Sequence, residues 1–127
     1  MVQRMFKITL LLAVGAILGA AALTFAQQAQ SGTRRIPQFE NDHVRVWKSI
    51  IMPKQPLSMH RHDHPRALIA LKGGTIKIQK ESGDARTEVW EDGKAYWLTE
   101  DPPNELHADV NDTANPIEVI VVELKKH

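Results

Sequence analysis

The run Met59-His60-Arg61-His62-Asp63-His64-Pro65-Arg66 packs three of the chain's six histidines into five residues. A neutral imidazole offers one lone pair and is the commonest protein ligand for transition metals. Side chains two residues apart on a β-strand point to the same face. His60 and His62 are therefore expected to present two convergent nitrogens on one wall of a β-structure. His107, in a second patterned segment far downstream, could close the set.

The elements that would carry these residues read as strands. After Pro37 the period is two. Residues 44–51 begin with apolar-polar alternation, and 67–71 is a short apolar run that ends in the turn signal Lys72-Gly73-Gly74. Residues 75–80 alternate cleanly, so 67–71 and 75–80 are expected to pair as a hairpin. Residues 87–90 and 95–98 flank Glu91-Asp92-Gly93. Residues 106–110 and 117–124 complete the set, separated by a polar turn ending in Pro116. No stretch after residue 36 shows a 3.6-residue apolar stripe. Seven to eight short antiparallel strands predict an all-β fold, a small sandwich or barrel with room for a pocket at one mouth.

The N-terminus reads differently. Arg4 and Lys7 precede an uncharged apolar run from Ile8 to Phe25, and Thr24-Phe25-Ala26-Gln27 resembles a processing site. This order describes a signal peptide over residues 1–26, a signal helix cleaved after Ala26. The competing reading is an uncleaved anchor, since the run approaches the ~18 to 20 apolar residues a membrane span needs. Residues 27–36 read as a disordered lead-in, and 37–127 as the single domain. Export implies a periplasmic or secreted protein. The chain has no cysteine, so disulfides and a lipid-modified cysteine are excluded. Cleavage would leave fourteen Lys plus Arg against fifteen Asp plus Glu, a formal charge of −1. With no basic patch, nucleic acid is not expected as a partner, nor is a membrane after cleavage.

With strands and histidines in place, the chain resembles the cupin superfamily over residues 39–125. In the first cupin motif, G-x5-H-x-H-x3-4-E-x6-G, His60 and His62 fill the histidine positions and Gly73 the last glycine. Lys54 stands at the first glycine and Arg66 at the glutamate. In the second, G-x5-P-x-G-x2-H-x3-N, Pro102, His107 and Asn111 match at the right spacing. Asn104 replaces the inner glycine, and Gly93 lies a few residues too early. The resemblance implies a small RmlC-like jelly-roll barrel in which two histidines, a glutamate and a later histidine hold one divalent metal. It also implies a small-molecule ligand and allows a homodimer that pairs sheet edges.

Arg66 breaks that ligand set, because a guanidinium stays protonated and has no lone pair to donate. Three readings stay open. His60, His62 and His107 can hold Fe, Mn, Ni or Zn, with Arg66 clamping a substrate carboxylate as in thiol dioxygenases of the superfamily. A further ligand could come from His64, Asp63 or Glu105, although Pro65 places His64 on the rim. Alternatively no metal binds, and Arg66 pairs with Glu105 or Asp109 in a polar pocket. The first reading suits an oxygenase- or isomerase-like enzyme, the last a non-catalytic binding barrel. No catalytic residue can be named from the sequence. His43 reads as a turn residue and Trp90, Tyr96 and Trp97 as core or wall, with Tyr96 and Trp97 on opposite faces.

Overall fold

The computed structural model describes residues 32–126. The signal segment, residues 27–31 and His127 lie outside the described residues. Eight antiparallel strands follow one another: β1 (Arg34–Glu40), β2 (Val44–Ile51), β3 (Arg66–Lys72), β4 (Gly74–Lys80), β5 (Ala85–Trp90), β6 (Ala95–Leu98), β7 (His107–Val110) and β8 (Ile117–Leu124). They form a five-stranded sheet in the order β1-β2-β8-β3-β6 and a three-stranded sheet in the order β5-β4-β7.

The inward faces follow from alternation. Trp47, Ile51, Leu68, Ala70, Ile117, Val119 and Val121 of the larger sheet pack with Ile76 and Trp90 of the smaller one. Ile76 and Ile117 are fully buried, and each contributes roughly 1.5 to 3 kcal/mol over an exposed side chain. Towards one end of the barrel the same inward rows turn polar. Val121 gives way to Glu123 on β8, Leu68 to Arg66 on β3, and on β7 the inward pair is His107 and Asp109. Register sets Arg66 directly across from Glu123.

Two expectations are corrected. Segments 67–71 and 75–80 do not form a hairpin: β3 and β4 lie in different sheets. The chain crosses over at Gly73, where a Cβ would stand 1.9 Å from the Trp90 carbonyl oxygen. The glycines mark a corner between sheets, not a tight turn within one. The strand β1 was not foreseen, and it begins at Arg34, inside the segment assigned to the lead-in. Its sequence is polar and contains Pro37, where the register with β2 slips. Proline is tolerated only at an edge or a bulge, and β1 provides both.

The motif glycines find a structural counterpart. Lys54 (φ 56°) and Asn104 (φ 61°) are the two non-glycine residues with positive φ among the described residues, and they stand at the two substituted glycine positions. Each follows a proline in a turn closed by a backbone hydrogen bond, Gln55 N to Met52 O at 3.2 Å and Glu105 N to Pro102 O at 3.3 Å. Proline followed by a left-handed residue is the arrangement of a type II turn. Asparagine tolerates that conformation, whereas lysine is strained in it. Lys54→Gly is therefore expected to raise stability by roughly 0.5 to 1 kcal/mol, read as a higher midpoint in urea. A lowered midpoint would contradict the strain.

Candidate metal centre

His60 and His62 do not lie on a strand. The segment between β2 and β3 crosses to the edge of the smaller sheet, where Pro53 bridges Asn111 and His60 bridges His107. Reciprocal backbone hydrogen bonds of 2.9 Å fix His60 beside His107. The buried Asn111 side chain donates to the Ile51 carbonyl and accepts from Thr113, holding this junction. His62 is held by Asp101: its N–H donates to Asp101 Oδ2 at 2.7 Å, and its carbonyl accepts from Asp101 N at 2.9 Å. Arg61 faces away and donates to the carbonyls of Pro102 and Asp101. The histidines converge through these anchors, not through strand parity as the sequence suggested.

One nitrogen of each of His60, His62 and His107 lies within 4.8 Å of the others. Ring centroids are 4.9 Å apart for His60–His62, 4.5 Å for His60–His107 and 5.6 Å for His62–His107. Each Nδ1 faces an acceptor: Ser58 O at 2.7 Å from His60, Glu123 Oε2 at 3.5 Å from His62, and Asp101 Oδ2 at 3.5 Å from His107. His60 Nε2 is buried and has no hydrogen-bond partner. At His60 the Ser58 hydrogen bond on Nδ1 favours the tautomer that leaves Nε2 with a lone pair, and the carboxylates beside the other two Nδ1 atoms favour the same tautomer, as in metal-bound histidines. The three imidazoles therefore fit a divalent metal bound through Nε2.

The charge around them is mixed. Arg66 is buried, donates to the Thr99 carbonyl at 3.1 Å and lies 4.0 Å from Asp101. Its partner is thus Asp101. Glu105 instead pairs with Lys80 at 3.0 Å. Burial lowers the Arg66 pKa, and Asp101 opposes this most. Arg35 reaches the cavity from β1, over the Trp47 ring at 5.0 Å. Burial lowers its pKa too, with Asp109 and Glu123 opposing. Asp101, Asp109 and Glu123 therefore offset the two guanidinium groups.

Burial, then the charge of Arg66, pushes His62 down to about 2. Burial also lowers His60, against the Ser58 hydrogen bond. The folded chain thus keeps both rings neutral where the unfolded chain takes up protons near pH 6.5. Stability must then fall as pH drops below about 6.5, by roughly 2 to 3 kcal/mol from His62 alone at pH 4.5. Chelator-treated protein is expected to melt progressively lower from pH 7 to 4.5. A flat profile over that range would contradict this burial.

A cavity of about 390 Å³ opens between the sheets beside the histidines, lined among others by Arg35, Trp47, His62, Arg66, His107 and Asp109. His64 is not part of the cluster. It lines an adjoining groove with Pro37 and Phe39, and its Nδ1 is buried without a partner. Asp63 is exposed and pairs with Arg61. His43 is exposed in the turn after β1, Trp90 is core, and Tyr96 packs inward while Trp97 is 59 % exposed. Sequence reasoning missed Arg35, Asp101 and Glu123 at the site. Parity with the inward residues of β8 could have revealed Glu123. Arg35 was hidden in the supposed lead-in.

This barrel has the cupin fold, the RmlC-like double-stranded β-helix. It is similar to a cupin domain from Bordetella pertussis Tohama I (TM-score 0.66, 20 % identity, 75 % of this chain and 95 % of that one). It is also similar to an RmlC-like cupin family protein from Methanocaldococcus jannaschii (0.56, 15 %, 72 % and 79 %). A third likeness is the polyketide cyclase RemF from Streptomyces resistomycificus (0.57, 17 %, 76 % and 67 %). At these identities the likeness concerns the fold. No family model and no curated protein matches the sequence.

Proposed function

We propose that this chain is an exported cupin that binds one divalent metal (Fe, Mn, Ni or Zn) through His60, His62 and His107. In this reading it acts on a small anionic molecule, in the manner of an oxygenase or isomerase. The observation that carries the metal is His60 Nε2, a buried nitrogen with no partner, aimed among two more imidazoles. A buried polar atom left unpaired costs about 1 to 3 kcal/mol, and a coordinate bond removes that cost. The bound ion would supply a Lewis acid that polarises an oxygen of the ligand. Arg66 would hold an anionic group of the ligand, since Thr99 and Asp101 fix its guanidinium at the cavity wall. Arg35 and Trp47 line the same cavity.

Export after loss of residues 1–26, and edge-to-edge pairing into a homodimer, belong to the same proposal. The experiment is calorimetric titration of chelator-treated protein with Zn(II) or Co(II). About one site per chain is expected; no saturable uptake would remove the metal from the account.

A second reading is a metal-free, non-catalytic barrel that binds a small anion. It is favoured by Arg35, whose guanidinium makes no hydrogen bond or ion pair with a described residue and so is available to a ligand. Malonate serves as the probe. If it raises the melting temperature equally with and without EDTA, the second reading holds; if EDTA abolishes the shift, the metal reading does.

A further inference from the structure

We propose that Asp109 is the fourth protein donor of the metal centre, supplying from β7 the carboxylate that the motif would place at residue 66. The inference rests on the three-histidine reading above. Three carboxylates approach the histidines, and their contacts separate them. Asp101 accepts the His62 N–H, lies 4.0 Å from Arg66 and faces His107 Nδ1. Glu123 faces His62 Nδ1 and stands across the strand pair from Arg66. Both therefore lie behind the rings and orient them.

Asp109 alone is on the other side. Its Oδ1 is 3.8 Å from His107 Nε2, the nitrogen that Asp101 leaves free to coordinate. Its side chain accepts no hydrogen bond from a described residue, although it is largely buried and lines the cavity.

The placement follows from the strand. Residues 107 and 109 share a face of β7, so once His107 points inward Asp109 must do so too. Two donors bound to one ion at about 2.1 Å lie roughly 3.0 to 3.4 Å apart at octahedral or tetrahedral angles. At 3.8 Å from His107 Nε2, Asp109 Oδ1 stands just outside that range and outside the group of three nitrogens that lie within 4.8 Å of one another, so the side chain must turn towards them to coordinate. Charge favours the same assignment. Asp101 and Glu123 face Arg66 and the backs of the rings, so Asp109 is the carboxylate left to place negative charge beside a dication. The set is then three nitrogens and one anionic oxygen, suited to Zn(II), Fe(II), Mn(II) or Ni(II).

The test uses Asp109→Ala and Asp109→Asn, each stripped with chelator and titrated with Co(II). Metal-free variants are expected to stay folded, because the carboxylate accepts no hydrogen bond from a described residue, with a lower melting temperature from the charge it no longer sets against Arg35 and Arg66. Co(II) affinity should fall by more than ~100-fold, beyond the usual effect of an outer-shell partner. The visible d–d bands should change as a donor is lost. Asp109→Asn, of nearly the same shape, serves if the alanine variant does not fold. Binding within ~100-fold of wild type with an unchanged spectrum would overturn the assignment of Asp109 alone. A wild-type protein that takes no Co(II) would overturn the metal reading with it.

Discussion

His62→Ala is expected to reduce the metal content of protein purified without chelator from about one ion per chain to a small fraction of that. His62 is held from several sides. It is 7 % exposed, its backbone is clamped on both sides by Asp101, and its ring lies parallel to Trp47 at 6.3 Å. A ligand so held binds with little further ordering, so its loss removes both a donor and a preorganised position. The fold should survive. The Nδ1 contact to Glu123 is 3.5 Å, and the cavity left by the ring is expected to cost a few kcal/mol at most. Metal analysis beside circular dichroism separates the two effects. A folded variant with full occupancy would remove His62 from the centre.

Gly73→Ala is expected to destabilise the barrel by about 3 kcal/mol or more. The added Cβ would meet the Trp90 carbonyl oxygen at 1.9 Å, the Trp90 carbonyl carbon at 2.8 Å and the Asp92 nitrogen at 3.1 Å. All three atoms are backbone, so no rotamer change relieves the clash. Gly73 N also donates to Asp92 Oδ1 at 2.6 Å, which pins the corner from the other side. For a domain of this size the melting temperature should fall by roughly 12 °C or more. A loss of only a few degrees would mean that the β3-to-β4 corner can shift, and that the close approach does not hold the two sheets together.

The strands with inward apolar rows were legible because burial imposes the period. Residues 44–51, 95–98 and 117–124 were read with the bounds they have. The edge strand β1 was not, because it carries a proline at a register slip and buries little. The crossover at Gly73 was misread because a Gly-Gly pair signals a tight turn equally well, and only tertiary contact with Trp90 distinguishes the two. Of the site, the three histidines were legible from their spacing, but the reason for their convergence was not. That reason is a bridge between His60 and His107 and a clamp by Asp101, both long-range contacts. Arg66 was correctly placed inward, with the wrong partners: Asp101 is 39 residues from His62 in sequence, and nothing local ties it to the cluster.

The function proposed here stands on three imidazoles holding one metal ion. Native mass spectrometry of the chain, purified without chelator, measures this directly. The predicted result is a mass above that of the polypeptide by one divalent ion, returning to the polypeptide mass after EDTA. A spectrum showing only the bare polypeptide, before and after incubation with excess Zn(II), Mn(II), Ni(II) or Fe(II), would contradict it.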